Sequence, residues 1–236
     1  MRYVGVVPAA GYARRLQPLA GSKEMLRVEG RPVIDFLMER LAKGGCTEIR
    51  VVTRPEKEDL ARHIGTSGAT VIFARPVSVA DSIRAGLEGL SDEDVVQSGF
   101  PDTIWDPLDG FVQVSGRLRK PVEVALGLFR VPPQHECDRV QLDESGAVHA
   151  VHVRPRNPRS DLTWGCFAAR ARALRSLSEA EPGAYFERLR REGRLAGVYL
   201  SDRYFDIGTP DSLLRARQDL RVDAPLFPDQ EDRPVG

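Results

Sequence analysis

An apolar run from Tyr3 to Val7 leads straight into Ala9-Ala10-Gly11-Tyr12-Ala13-Arg14-Arg15-Leu16, with Pro18 and Lys23 close behind. Small residues after a strand let the backbone approach a ligand, and the exposed N–H groups of such a turn favour an anion. Arg15 can fork two donors onto phosphate oxygens, and Lys23 adds a mobile point charge. The stretch fits neither G-x-G-x-x-G nor G-x-x-x-x-G-K-[ST], so spacing alone leaves phosphate binding and a plain surface turn both open.

Two aspartates are the complementary candidates. Asp102 ends Ser98-Gly99-Phe100-Pro101-Asp102, after the apolar pair Val95-Val96. An Asp just past the C-terminal end of a parallel strand sits where open α/β sheets bind ligands, although a turn or cap explains it more simply. Asp206 lies within the apolar Tyr204-Phe205-Asp206-Ile207-Gly208-Thr209-Pro210. An unpaired carboxylate there would be costly, so it needs a cation or a basic side chain. Two oxygen ligands, supplemented by substrate phosphates and water, are what Mg²⁺ tends to accept.

Other chemistry-bearing residues carry less. His149 and His152 fall in one strand and point to opposite faces, a poor metal pair. Asp106 and Asp109 read as turn formers, and the Arg170 to Arg175 cluster as a solvated helix face. Cys46, Cys137 and Cys166 are odd in number, widely spaced and without a C-x-x-C pair, which reads as thiols in a reducing cytoplasm. No Ser-His-Asp or Cys-His arrangement has local support.

The elements that must position these residues alternate. Strands are expected at Tyr3 to Val7, Ile49 to Thr53, Ala69 to Ala74 and from Val95 into Gly99. Between them fall helices from Pro32 to Gly44-Gly45, from Lys57 to Ile64 and from Ser78 to Leu90. Ala9 to Lys23 reads as a loop with at most one helical turn. This alternation predicts a mostly parallel sheet with helices on both faces, a Rossmann-like α/β fold. The second half reads as a smaller α+β part. Its strands are Val122 to Phe129, Ala147 to Val153, Trp164 to Ala168 and Leu195 to Leu200. Its helices are Arg170 to Ser178, Tyr185 to Glu192 and Pro210 to Leu220.

The 236 residues suffice for one domain over 1–220, with a first half to about 120 and a second half from about 121; residues 221–236 read as a loose tail. Lys plus Arg and Asp plus Glu both count 34, so no general polycation role toward nucleic acid or membrane follows. No apolar run reaches the ~20 residues needed to span a bilayer, and the N-terminal run is too short for a signal peptide, so a cytoplasmic protein is expected.

The loop from Ala9 to Pro18, followed by Ser22-Lys23-Glu24-Met25-Leu26, resembles the signature of the sugar-phosphate nucleotidyltransferases, roughly G-x-G-T-R-L-x-P and then P-K or S-K. Ala13 stands at the second Gly and Arg14 at the Thr. Tyr204 to Pro210 is similar to the family's W-x-D-x-G-T-P segment, and Gly99 to Asp102 to its G-D segment with Phe100 and Pro101 inserted. Val153-Arg154-Pro155, then Thr163-Trp164-Gly165, resembles its E-K-P … T-G stretch, with Val153 at the Glu and Arg154 at the Lys.

The resemblance implies roles, with a nucleotide-binding half to about 120 and an acceptor-binding half from about 121. Arg15 and Lys23 would bind the triphosphate and stabilise departing pyrophosphate. Ala9, Ala10, Gly11, Arg14 and Arg75 would surround the nucleotide, with Arg75-Pro76 where relatives have Gln-Pro at the base. Asp102 and Asp206 would hold Mg²⁺. Arg154, Trp164 and Gly165 would meet the acceptor. The implied reaction moves a nucleoside monophosphate from an NTP (dTTP, UTP or CTP) to a sugar 1-phosphate. A cytidylyltransferase acting on phosphocholine and a silent nucleotide-sugar-binding paralogue are the alternatives. The chain is too short for the β-helix or long helical extension of some relatives. The base, the sugar and the oligomeric state, a homo-oligomer included, stay open.

Overall fold

The computed structural model describes residues 1–222. Along the chain the elements are β1 (Tyr3–Pro8), β2 (Arg27–Val28), β3 (Arg31–Pro32), α1 (Val33–Lys43), β4 (Glu48–Thr53), α2 (Glu58–Thr66), β5 (Thr70–Phe73), α3 (Val79–Ala85), β6 (Val95–Gly99), β7 (Thr103–Trp105) and α4 (Gly110–Ser115). They continue with β8 (Val124–Arg130), β9 (Arg139–Leu142), β10 (Val148–His152), β11 (Leu162–Arg170), α5 (Ala171–Arg175), α6 (Pro182–Arg191), β12 (Leu195–Ser201), β13 (Tyr204–Asp206) and α7 (Pro210–Val222).

One seven-stranded sheet, in the order β12-β8-β11-β6-β1-β4-β5, takes strands from both halves of the chain. Every neighbouring pair is parallel except the two that β11 makes, which are antiparallel. The mostly parallel α/β sheet expected from the alternation is thus present. Continuous apolar runs such as Val4 to Val7 form its centre because both faces are covered. Val4 and Val6 belong to a core shared with α3, α5 and α6, whereas Val7 packs in a second core with α1, α2 and α4. Gly5 lies on the α1 side, where a Cβ would come 3.0 Å from the side chain of Leu41.

Three two-stranded ladders lie outside this sheet: β2–β3, β9–β10 and β7–β13. The last pairs Tyr204 with Trp105, Phe205 with Ile104 and Asp206 with Thr103. A third core of Val28, Val33, Ile104, Ile207 and Ala216 ties α7 and β13 to the N-terminal elements.

Several boundaries differ from expectation. The helix read from Ser78 to Leu90 is regular only over Val79–Ala85, with a Ser78–Asp81 capping box at its start. The Arg170 to Ser178 helix shrinks to Ala171–Arg175. The loop after β1 carries two 3₁₀ turns, Arg14–Leu16 and Lys23–Met25, rather than one helical turn. The elements β2, β3, β7, β9 and α4 have no counterpart in the sequence reading, being too short to show a period. Beyond α7, the expected tail lies outside the described residues. Among the described residues no helix is long and apolar enough to cross a membrane.

Candidate active site

The loops after β1, β4, β5 and β6 all leave the C-terminal end of parallel strands, the place where such sheets leave a crevice. The loop after β8 leaves at the same end. So does the start of the antiparallel β11, which brings Thr163 and Trp164 there. Together they enclose a cleft of about 830 Å³ lined by, among others, Ala10, Gly11, Arg14, Arg15, Lys23, Arg54, Arg75, Asp102, His135, Asp138, Arg154, Trp164, Glu181 and Asp206. That volume lies toward the upper end of the ~300–1,000 Å³ usual for small-molecule sites.

The cationic loop and the two aspartates meet on this wall. Lys23 Nζ donates to Asp102 Oδ2, and Asp102 is 7% exposed. Burial works to lower the Lys23 pKa, but Asp102, Glu24 and Asp206 outweigh it and the net shift is upward. Asp206 Oδ2 lies 3.3 Å from His135 Nε2. A Cβ on Gly208 would come 2.6 Å from an Arg15 guanidinium nitrogen and 3.1 Å from Asp206 Oδ1. The Gly in Asp206-Ile207-Gly208 therefore makes room for the Arg15 side chain to cross the strand end beside the carboxylate. Tyr204 lies beneath the pair, and burial, Asp206 and Asp102 push its phenol well above the usual range.

Behind the loop, buried charges hold it in shape. Lys57 Nζ donates to both oxygens of the fully buried Glu24 (2.8 and 2.9 Å) and to the carbonyl of Ala9 (2.8 Å). Burial lowers the Lys57 pKa and raises that of Glu24. Arg54 donates to Ala10 O at 2.8 Å and to Pro76 O at 2.6 Å, and its guanidinium lies 4.3 Å from the Tyr12 ring. Arg54 thereby ties the first loop to the segment after β5. The Ser22 amide and hydroxyl donate to Asp59 at 2.8 and 2.6 Å.

On the far side, Arg139 is 1% exposed. Its guanidinium donates to the carbonyls of Val131, Pro132, Pro133, His135 and Ser160 at 2.7–3.5 Å. That pins the loop carrying His135 to Asp138 against the cleft. Asp138 accepts from Trp164 Nε1 (3.0 Å) and the Arg154 amide (3.3 Å), and burial raises its pKa. Arg154 also reaches Glu181 at 3.4 Å.

Most sequence-derived candidates share the cleft: Ala10, Gly11, Arg14, Arg15, Lys23, Arg75, Asp102, Arg154, Trp164 and Asp206. Ala9 and Gly165 do not line it. Ala9 is fully buried, with its carbonyl on Lys57, and Gly165 makes room for the rings of Tyr204 and Phe129. Trp164 is 5% exposed and packs against Phe100, Phe167 and Phe186, so it is mainly a core side chain with one edge at the cleft. Arg75 is paired with Glu56 at the rim. His149 and His152 are exposed and away from the cleft. Arg172 and Arg175 are paired with Glu93, Glu123 and Asp92 rather than merely solvated. Sequence reasoning missed Arg54, His135, Asp138 and Glu181. The only signal for the middle two was the titratable run His135-Glu136-Cys137-Asp138.

Among the described residues no three or more His, Cys, Asp or Glu side chains form a metal cage. Asp102 and Asp206 supply hard oxygen donors but only two carboxylates. That set fits Mg²⁺, which keeps waters and takes phosphate oxygens from its substrate, and does not suit a cation needing an all-protein shell.

Residues 5–102 match the family model of the MobA-like NTP transferase domain. A glucose-1-phosphate thymidylyltransferase from Streptomyces antibioticus is 26% identical over 165 residues, 66% of this chain and 46% of that protein, so the chain spans less than half the length of this relative. A Bacillus anthracis structure provisionally named glucose-1-phosphate thymidylyltransferase, in complex with sucrose, superposes with a TM-score of 0.82 at 18% identity, covering 93% of this chain and 95% of the other. The UTP-bound UGPase of Acinetobacter baumannii gives 0.76 at 17% identity, with 96% and 95% covered. In its sheet, in the cleft at the sheet's C-terminal end and in these likenesses, the chain is similar to the sugar-phosphate nucleotidyltransferases.

Proposed function

We propose that this chain transfers a nucleoside monophosphate from a nucleoside triphosphate to a sugar 1-phosphate, giving a nucleoside diphosphate sugar and pyrophosphate. The observation that carries the reading is the meeting of Arg15 and Lys23 with Asp102 and Asp206 on one cleft wall. An oxygen of the acceptor phosphate attacks the α-phosphorus in line. The new P–O bond forms as the bond from the α-phosphorus to the bridging oxygen breaks, and pyrophosphate leaves with that oxygen.

Two anions repel, so the protein's work is to hold them together and to receive charge on the leaving group. Arg15 and Lys23 grip the departing pyrophosphate. Ala10 and Gly11 let the backbone approach the nucleotide, with Arg14 and Arg75 at its rim. Arg154, exposed at the opposite side of the cleft, draws in the acceptor phosphate. Asp102 and Asp206 would hold Mg²⁺, which when bound neutralises phosphate charge. The names of the relatives make dTTP and UTP the first triphosphates to test, with CTP next.

The test is pyrophosphate release across the common triphosphates and a panel of sugar 1-phosphates with Mg²⁺, for the wild type and for Asp206→Asn. Release that depends on one pair of substrates, and that is lost in the variant while its melting curve is kept, is expected. Undiminished turnover by Asp206→Asn would sink the metal assignment. No release with any pair would sink the transferase reading.

A further inference from the structure

One carboxylate on the cleft wall has no part in gripping the triphosphate or the metal. Asp138 sits on the loop between β8 and β9, at the end of the cleft that also holds Arg154 and Trp164. Its Oδ2 accepts from Trp164 Nε1 at 3.0 Å and its Oδ1 from the Arg154 amide at 3.3 Å. Both donors belong to fixed structure, an indole within the aromatic core and a main-chain amide. A carboxylate offers about four lone-pair sites, so two remain for a ligand.

Space has been cleared for this group. A Cβ at Gly183, in the first turn of α6, would lie 2.2 Å from Asp138 Oδ2 and 3.3 Å from Val153 Cγ2. Glycine there lowers helix propensity, and what it admits is the Asp138 carboxylate. The neighbouring candidates do not compete. Val153 has no polar side-chain atom and is not on the cleft wall. Glu181 is engaged with Arg154, and Glu136 is exposed. A carboxylate held by fixed donors and half withdrawn from water is a preorganised acceptor for hydroxyl groups, and its hydrogen bonds are strengthened by its charge.

We infer that Asp138 accepts a hydrogen bond from a ring hydroxyl of the acceptor sugar and thereby selects which sugar 1-phosphate is used. The inference rests on the transferase reading, which supplies the sugar. Asp138 is a specificity determinant, and the chemistry at phosphorus does not pass through it.

The experiment is a cycle between protein and acceptor. Acceptor KM, triphosphate KM and kcat are measured for the wild type, Asp138→Asn and Gly183→Ala, with the preferred sugar 1-phosphate and its single-deoxy analogues. Deleting one particular hydroxyl should raise the wild-type acceptor KM about tenfold or more, the range expected for a hydrogen bond to a charged group. In Asp138→Asn that same deletion should cost little, because the partner is already lost, while the triphosphate KM stays the same. Gly183→Ala, which keeps Asp138 but crowds its carboxylate, should behave like Asp138→Asn with its melting temperature retained. If every deoxy analogue is penalised equally in the wild type and in both variants, the assignment is wrong while the transferase reading stands. If the wild type releases no pyrophosphate with any sugar 1-phosphate, the transferase reading falls before any variant is compared, and the assignment falls with it.

Discussion

The amide of Ile207 donates to the carbonyl oxygen of Asp102 at 2.8 Å. This bond continues the short ladder in which Asp206 faces Thr103. The two carboxylates come from segments far apart in the chain, and main-chain pairing sets those segments side by side. Main-chain pairing, rather than loop contacts, therefore fixes their spacing.

Lys23→Met should lower kcat for pyrophosphate release by roughly 10²–10³-fold, the usual cost of removing one preorganised donor to developing charge. It also leaves Asp102 buried without its cation. Steady-state assays beside Lys23→Arg should show partial recovery, since the guanidinium keeps the charge but not the shape.

Ala13 adopts φ 51° and ψ 40°, the left-handed conformation, at the start of the first 3₁₀ turn. A non-glycine residue there is strained by about 1–2 kcal/mol, partly offset by the entropy that glycine would add to the unfolded chain. Ala13→Gly should therefore stabilise by up to ~1 kcal/mol, a melting-temperature rise of about 2–4 °C. Ala13→Val should lower it.

Arg139→Met should destabilise by at least ~3 kcal/mol, because several buried carbonyls lose their donor together. A urea midpoint shifted down at constant slope checks this. Faster proteolysis within residues 131–138 should accompany it, as the pinned loop loosens.

Glu187 ties α6 to β10 by accepting from the Val151 amide, and Arg190 and Arg191 bond it at 2.9 Å. Burial opposes its ionisation, but the bonds from Arg190, Val151 and Arg191 prevail and hold its pKa at about 2, against an ordinary 4.5. The unfolded chain binds the proton first as pH falls, so the stabilisation is complete above pH 4.5 and disappears on the way down to about 2. On the order of 2 kcal/mol is at stake after allowing for solvent screening. Urea titrations at several pH values should show wild type and Glu187→Gln far apart at pH 6 and converging toward pH 2.

The regular elements were legible where a period had length to show itself. Val4 to Val7, Val33, Leu37 and Leu41 of the α1 stripe, and Leu60 and Ile64 of α2 are buried as their spacing implies, while Phe36 of that stripe is half-buried. The three-residue strands β7 and β13 gave no comparable pattern, although Asp206 in an apolar run already marked the second. Arg15, Lys23 and Asp206 stood out because their residue types conflict with the small or apolar company they keep. Asp138 and His135 did not, because their loop has neither period nor motif.

Residue order alone determined that strands and helices alternate, that the sheet is mostly parallel, and that a basic turn follows its first strand. Those are consequences of local patterning, in which each side chain's face depends on neighbours a few positions away. Which acids would meet that turn, that Trp164 belongs mainly to the core, and that Asp138 stands beside Arg154 and Trp164 in the cleft were decided only by the tertiary structure. Such contacts join segments far apart in the chain. They depend on the register of the β7–β13 ladder, on the room left at Gly183 and Gly208, and on a buried arginine that collects the carbonyls of one loop.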